Sequence, residues 1–264
     1  MSVRALATLG LVGTALLGVG PTASSQSIDD RVAEVDEGEV RMSFAAKPGV
    51  CGDGEGTIST DDGRGWRVRR GDDDWEQTCE HGPVRVVLTV RDNEVTRVRT
   101  YVAGSWRSPS RATVDLGTVS APQASDYLLT LARRSANDAG EEAILPAMLA
   151  DSSTVWPDLL DMAKDESLRH DTRKSAVFWL SQAASEAATA GLEEIVDDED
   201  EDREIRKTAV FALSQRPKDE GVPALIQVAR NSQDAAIRKQ ALFWLGQSED
   251  PRAIALFEEI LTRR

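Results

Sequence analysis

The sequence predicts an α+β multidomain protein, in which a small disulfide-stapled β-rich N-terminal domain precedes an all-α solenoid of about four helix pairs. Three observations predict it. The phrase RKSAVFWLSQ at Arg173 returns as RKTAVFALSQ at Arg206 and RKQALFWLGQ at Arg238, at steps of 33 and 32 residues, and a fixed period of that size marks a repeat array. Residues 84–102, VRVVLTVRDNEVTRVRTYV, hold two β-branched runs around Asp92 and Asn93, which is a hairpin pattern. The chain has only two cysteines, Cys51 and Cys79, and both fall in the β-rich part.

In chain order, residues 1–25 come first: Arg4, an apolar run from Ala5 to Val19, then small residues around Ala23, Ser24 and Ser25. That is the layout of a secretory signal peptide. It predicts a periplasmic or secreted protein, with no membrane span once the signal is removed. Residues 26–40 are polar and acidic and read as a loose lead-in. The β-rich domain is expected over 41–119, with Val86, Leu88 and Val90 on one face of its hairpin. Export places the two cysteines where disulfides persist, so Cys51 and Cys79 are expected to pair. The stretches GDGEG, DDGRG and GDDDWE between them are too rich in Gly and Asp for long regular elements.

At Ser120 the period changes from two to 3.6. Ser120 stands three residues before Gln123 with Pro122 between, and Ala124, Tyr127, Leu128, Leu131 and Ala132 then follow at helical spacing. The helical domain is therefore 120–264. In the repeated phrase Ile205, Ala209, Ala212 and Leu213 make one apolar stripe. Ala176, Ala209 and Ala241 form one column between copies, and Leu180, Leu213 and Leu245 form another. A second helix follows each, with columns Leu159, Leu192, Leu225, Phe257 and Met162, Ile195, Val228, Ile260. Two stacked helices per repeat make a solenoid.

The stretches DREIRKTAVFALSQ and DAAIRKQALFWLGQSEDPRAIALFEEIL resemble the short HEAT repeats of HEAT-like lyase families. In both, an Asp stands three residues before Ile-Arg and alanine and leucine fill the stripe; in the second, Asp250-Pro251 opens a second helix. The copy at Arg173 departs: His170 is read in the place of the Asp, and Thr172 stands where the others have Ile. A degenerate first unit covers roughly residues 140–165, where Pro146 interrupts the first helix. The resemblance extends over residues 140–264. It implies a protein-interaction scaffold; some proteins with such repeats are instead pigment-attaching lyases, and a chaperone subunit is a further alternative.

One regularity lies off the stripe. Lys174, Phe178 and Gln182, then Lys207, Phe211 and Gln215, then Lys239, Phe243 and Gln247 form a grid at i, i+4, i+8. Either each Phe packs between adjacent repeats under its Lys stem, with the Gln bonding a neighbouring loop, or the grid is an aromatic strip that receives a protein segment. Other classes find little support. The net charge of −14 opposes nucleic-acid binding. His81 and His170 are the only histidines, which leaves little for Ser-His-Asp or Cys-His catalysis or for zinc. The carboxylate run Asp197 to Asp202 reads as a solvated loop, with Asp202 as a helix cap. Scattered Asp53, Asp61 and Asp72 carry no acid and base assignment, while one of Trp66, Trp75 and Trp106 could face a small ligand of the β domain. The expected function is a non-enzymatic, monomeric scaffold in the cell envelope, with no cofactor and no metal, bound to a protein partner.

Overall fold

The computed structural model describes residues 26–60, 79–106, 108–109 and 112–262. Residues 1–25, which the sequence analysis reads as a signal peptide, and Asp61, Trp66, Asp72 and Trp75 lie outside them. Within the stretch read as a lead-in stands a short helix, α1 (Ile28–Ala33), closed by a reciprocal Ser27/Asp30 capping box, and the first strand begins at Gly38. A four-stranded sheet has the order β6-β5-β1-β7, from β1 (Gly38–Phe44), β5 (Val84–Arg91), β6 (Glu94–Val102) and β7 (Thr113–Thr118). β2 (Val50–Gly52), β3 (Ile58–Thr60) and β4 (Glu80–His81) form a second small sheet, and the Cys51–Cys79 disulfide links it.

The hairpin turns at Asp92 and Asn93, both with positive φ (51° and 61°), as a tight two-residue connection requires. Alternation then sorts the side chains. Val40, Met42, Phe44, Val84, Val86, Leu88, Val90, Val98 and Val102 point to one face and are buried, while Glu39, Arg41, Arg85, Val87, Arg97, Arg99 and Tyr101 lie on the other. The buried face packs on the first helices.

Those helices are α2 (Ala121–Arg134), capped by the Ser120 hydroxyl on the Gln123 N–H, then α3 (Ala139–Glu142) and α4 (Ile144–Leu149). The break between α3 and α4 falls at Ala143, just ahead of Pro146, whose missing N–H and ring bulk act on the carbonyl of Glu142. Backbone bonds weld sheet to helices: Asp151 N–H donates to Ala45 O at 3.0 Å and Lys47 N–H to Leu149 O at 2.8 Å. Asn137 Nδ2 donates to Val95 O at 3.1 Å, and Val98 N–H to Glu142 at 2.7 Å. The apolar core runs without a break from the sheet into the repeats.

Four helix pairs follow: α3/α4 with α5 (Trp156–Lys164), α6 (His170–Leu180) with α7 (Glu186–Asp197), α8 (Arg203–Ser214) with α9 (Lys218–Asn231), and α10 (Ala235–Gln247) with α11 (Pro251–Thr262). α6, α8 and α10 touch in one row, and α5, α7, α9 and α11 in the other. The columns read from the sequence are buried, except at the last pair, where Phe257 is half-buried and Ile260 exposed. No helix among the described residues is long and apolar enough to cross a membrane.

Candidate functional site

The arginine of each repeated phrase is a brace. Arg173 donates from Nε to Ala163 O at 3.0 Å and Arg206 to Val196 O at 2.9 Å, so each ties its helix to the end of the preceding pair. Arg238 reaches Ser232 O and Gln233 O. Asp202 and Asp234 cap α8 and α10, whereas the matching N-cap of α6 is Arg169, not His170 as the sequence reading had it, so α6 has no side-chain cap and His170, one residue on, bonds Asp202 at 3.1 Å. The His170 bond and the backbone N–H of Ile205 hold the Asp202 carboxyl below the usual range. The acidic run is not uniformly solvated: Glu201 folds inward onto Arg173 at 2.5 Å, with both side chains nearly buried. No group of His, Cys, Asp or Glu among the described residues gathers as a metal site would.

The grid residues lie on α6, α8 and α10. Phe178 and Phe211 stack across two repeats with ring centres 6.2 Å apart and planes within 9°. Phe211 then meets Trp244 at 5.2 Å, and Trp244 meets Phe243 at 5.0 Å. Trp179 closes the other end on Phe178 at 5.1 Å. The result is a continuous aromatic ladder over three repeats. Phe178 and Phe211 are half-buried, while Phe243 remains 56% exposed. The polar ends behave differently from either sequence reading. Gln182 and Gln215 donate to the serines beside them, Ser181 and Ser214, not to a neighbouring loop. Lys207 pairs with Glu204 at 2.8 Å, Lys174 is half-buried, and Lys239 and Gln247 are exposed beside Phe243. Geometry therefore divides the grid: two rings pack between repeats, and the last row faces solvent.

A second feature lies on the outer face of the four-stranded sheet, where a cleft of about 410 Å³ falls within the size range of small-ligand sites. Its lining includes Glu39, Arg41, Glu55, Arg85, Arg99, Tyr101 and Trp106. Arg85 is 5% exposed, and donates to the carbonyls of Ala103, Ser105 and Gly54, each at 2.7 Å. Its guanidinium sits over Trp106 at 5.1 Å and Tyr101 at 5.5 Å. Gly54 and Gly104 both have positive φ, and a Cβ on either would come within 2.8 Å of the other's Cα, so only glycines allow these loops to meet under Arg85. Sequence reading named Trp106 as a possible ligand contact but missed the arginines. Their signal was the alternation in VRVV and TRVRTY, which puts Arg85, Arg97 and Arg99 on the face opposite the valines.

No curated protein matches the chain. Residues 198–264 match the family model of HEAT repeats, and together with the two rows of stacked helices this match supports assigning the C-terminal helix pairs to a HEAT-like repeat family.

Proposed function

We propose that this protein is an exported, non-enzymatic HEAT-repeat scaffold of the cell envelope that holds a protein partner on its aromatic ladder. HEAT repeats suggest a protein-interaction module in general. The observation that carries the finer reading is the ladder's last row. Phe243 is a large exposed aromatic beside Lys239 and Gln247, continuous with rings already fixed by stacking. A rigid aromatic flanked by donors is the composition of an interface anchor. The disulfide suggests a non-cytoplasmic environment, and the leader layout supports export.

The test uses the mature chain, residues 26–264, to capture partners from an envelope fraction. Phe243→Ser should change stability by less than about 0.5 kcal/mol, because an exposed side chain is removed, and should release the captured partner. Phe211→Ser should cost about 2 to 3 kcal/mol through loss of stacking and burial, which identifies it as a packing residue. Retention of the partner by Phe243→Ser at the wild-type level, or capture of nothing, would overturn the reading.

A further inference from the structure

We propose that the cleft on the outer face of the sheet is a binding site for a small organic carboxylate with an apolar or aromatic body. The proposal does not depend on the repeat surface. It rests on two arginines of the lining, Arg99 with one N–H left without an acceptor and Arg85 buried without a carboxylate among the described residues. The Arg99 side chain is partly exposed and pairs with Glu39 through Nη2 at 2.5 Å, but its Nε is buried and has no hydrogen-bond partner among the described residues. A buried donor left in that state costs free energy that an incoming acceptor would recover.

Arg85 adds the second cationic wall. A guanidinium carries five N–H groups, and its three bonds run to backbone carbonyls, so among the described residues no carboxylate bonds its charge. Desolvation lowers its pKa, which is the direction expected of a buried cation lacking an anionic partner. Arg41, the third arginine, is already held by Asp115 at 2.7 Å and lies over Trp106 at 5.1 Å. It stiffens the indole.

The same lining sets the ligand's charge and shape. Glu39 and Glu55 line the cleft beside the arginines, and they would repel a phosphate dianion more strongly than a single carboxylate. Tyr101, Val87 and Pro109, with the exposed part of Trp106, give an apolar wall suited to a flat or aliphatic body. A cleft of about 410 Å³ lies at the small end of the range for ligand sites, which suits a molecule of one ring and a carboxylate.

Benzoate is the probe, with benzamide as its neutral isostere and inorganic phosphate as the competing anion. Titration calorimetry on the mature protein should give saturable benzoate binding with Kd on the order of 1 mM. Benzamide and phosphate should bind about tenfold more weakly or not at all. Arg99→Gln should weaken benzoate about tenfold, whereas Arg91→Gln, an equal loss of charge at the exposed far end of β5, should leave it within about twofold. Should Arg99→Gln fail to fold, the Nε–H resonance of Arg99 in the wild-type protein serves instead, since it should shift on adding benzoate but not benzamide. Equal binding of benzoate and benzamide, equal effects of the two variants, preference for phosphate, or an unmoved Arg99 resonance would each overturn the proposal.

Discussion

Asp53 shows what one residue does to a loop. Its carboxylate accepts from the backbone N–H groups of Glu55, Gly56 and Thr57 at 2.8 to 3.0 Å and so closes the turn that carries Gly54 under Arg85. Partial burial opposes ionisation, but the Gly56 N–H, the Thr57 hydroxyl and the other two N–H groups outweigh it and hold the carboxyl at about 2. A depressed folded-state pKa stabilises the fold above the ordinary carboxylate range and ceases to do so as pH falls through the folded value. The Asp53 carboxyl carbon should therefore titrate at about 2 in an NMR pH series, and Asp53→Ala should flatten the acid limb of stability between about pH 4 and 2. None of this was legible in GDGEG, because an Asp in a glycine-rich loop looks alike whether it is solvated or closes a turn. The grid was legible as a spacing. Its division into packed and exposed rows was not, since that depends on which repeat has a neighbour covering it.

Between elements the strongest polar tie is Arg216, which follows the repeated phrase in α8 only; the matching positions in the other copies are Ala183 and Ser248. Its side chain is almost fully buried and donates to Thr189 Oγ1 at 2.8 Å, to Ser181 O at 3.2 Å, to Ser185 O at 2.9 Å, to Ala183 O, and to Glu220 at 2.8 Å. It locks the α6–α7 connection onto the start of α9. Arg216→Ala should cost about 3 kcal/mol or more, since it strips a set of buried acceptors and removes a cation from Glu220; denaturant midpoints would measure it. Periodicity could not find Arg216 because it does not recur. The columns Ala176/Ala209/Ala241 and Leu180/Leu213/Leu245 were readable for the opposite reason: identical burial at every step imposes identical chemistry. Arg173 and Arg206 stood beside that stripe in plain repetition, yet charge alone gave no sign of their burial against carbonyls.

At the scale of the whole molecule, sheet and repeats share one core, with α2, α3 and α4 covering the inner face of the strands. The disulfide closes a separation of 28 residues, and reduction should lower stability by about 3 to 4 kcal/mol if chain entropy governs; thermal unfolding with and without reductant would show it. The start of α2 after Ser120 was legible as a change of period, from two in the strands to 3.6 in the helix. The weld across it was not, because bonds such as Asp151 to Ala45 join residues far apart in sequence through backbone atoms that no side-chain pattern reports.

The braces have short reach: Arg206 bonds to the pair before it, and Gln240 of α10 to Lys207 of α8. The array is thus a ruler fixed at the sheet and graduated in equal steps of two helices. Duplicating or deleting one graduation would alter the distance from the sheet's cleft to the exposed ring at Phe243 while leaving both ends chemically unchanged, so the number of steps sets how far apart two things can be held.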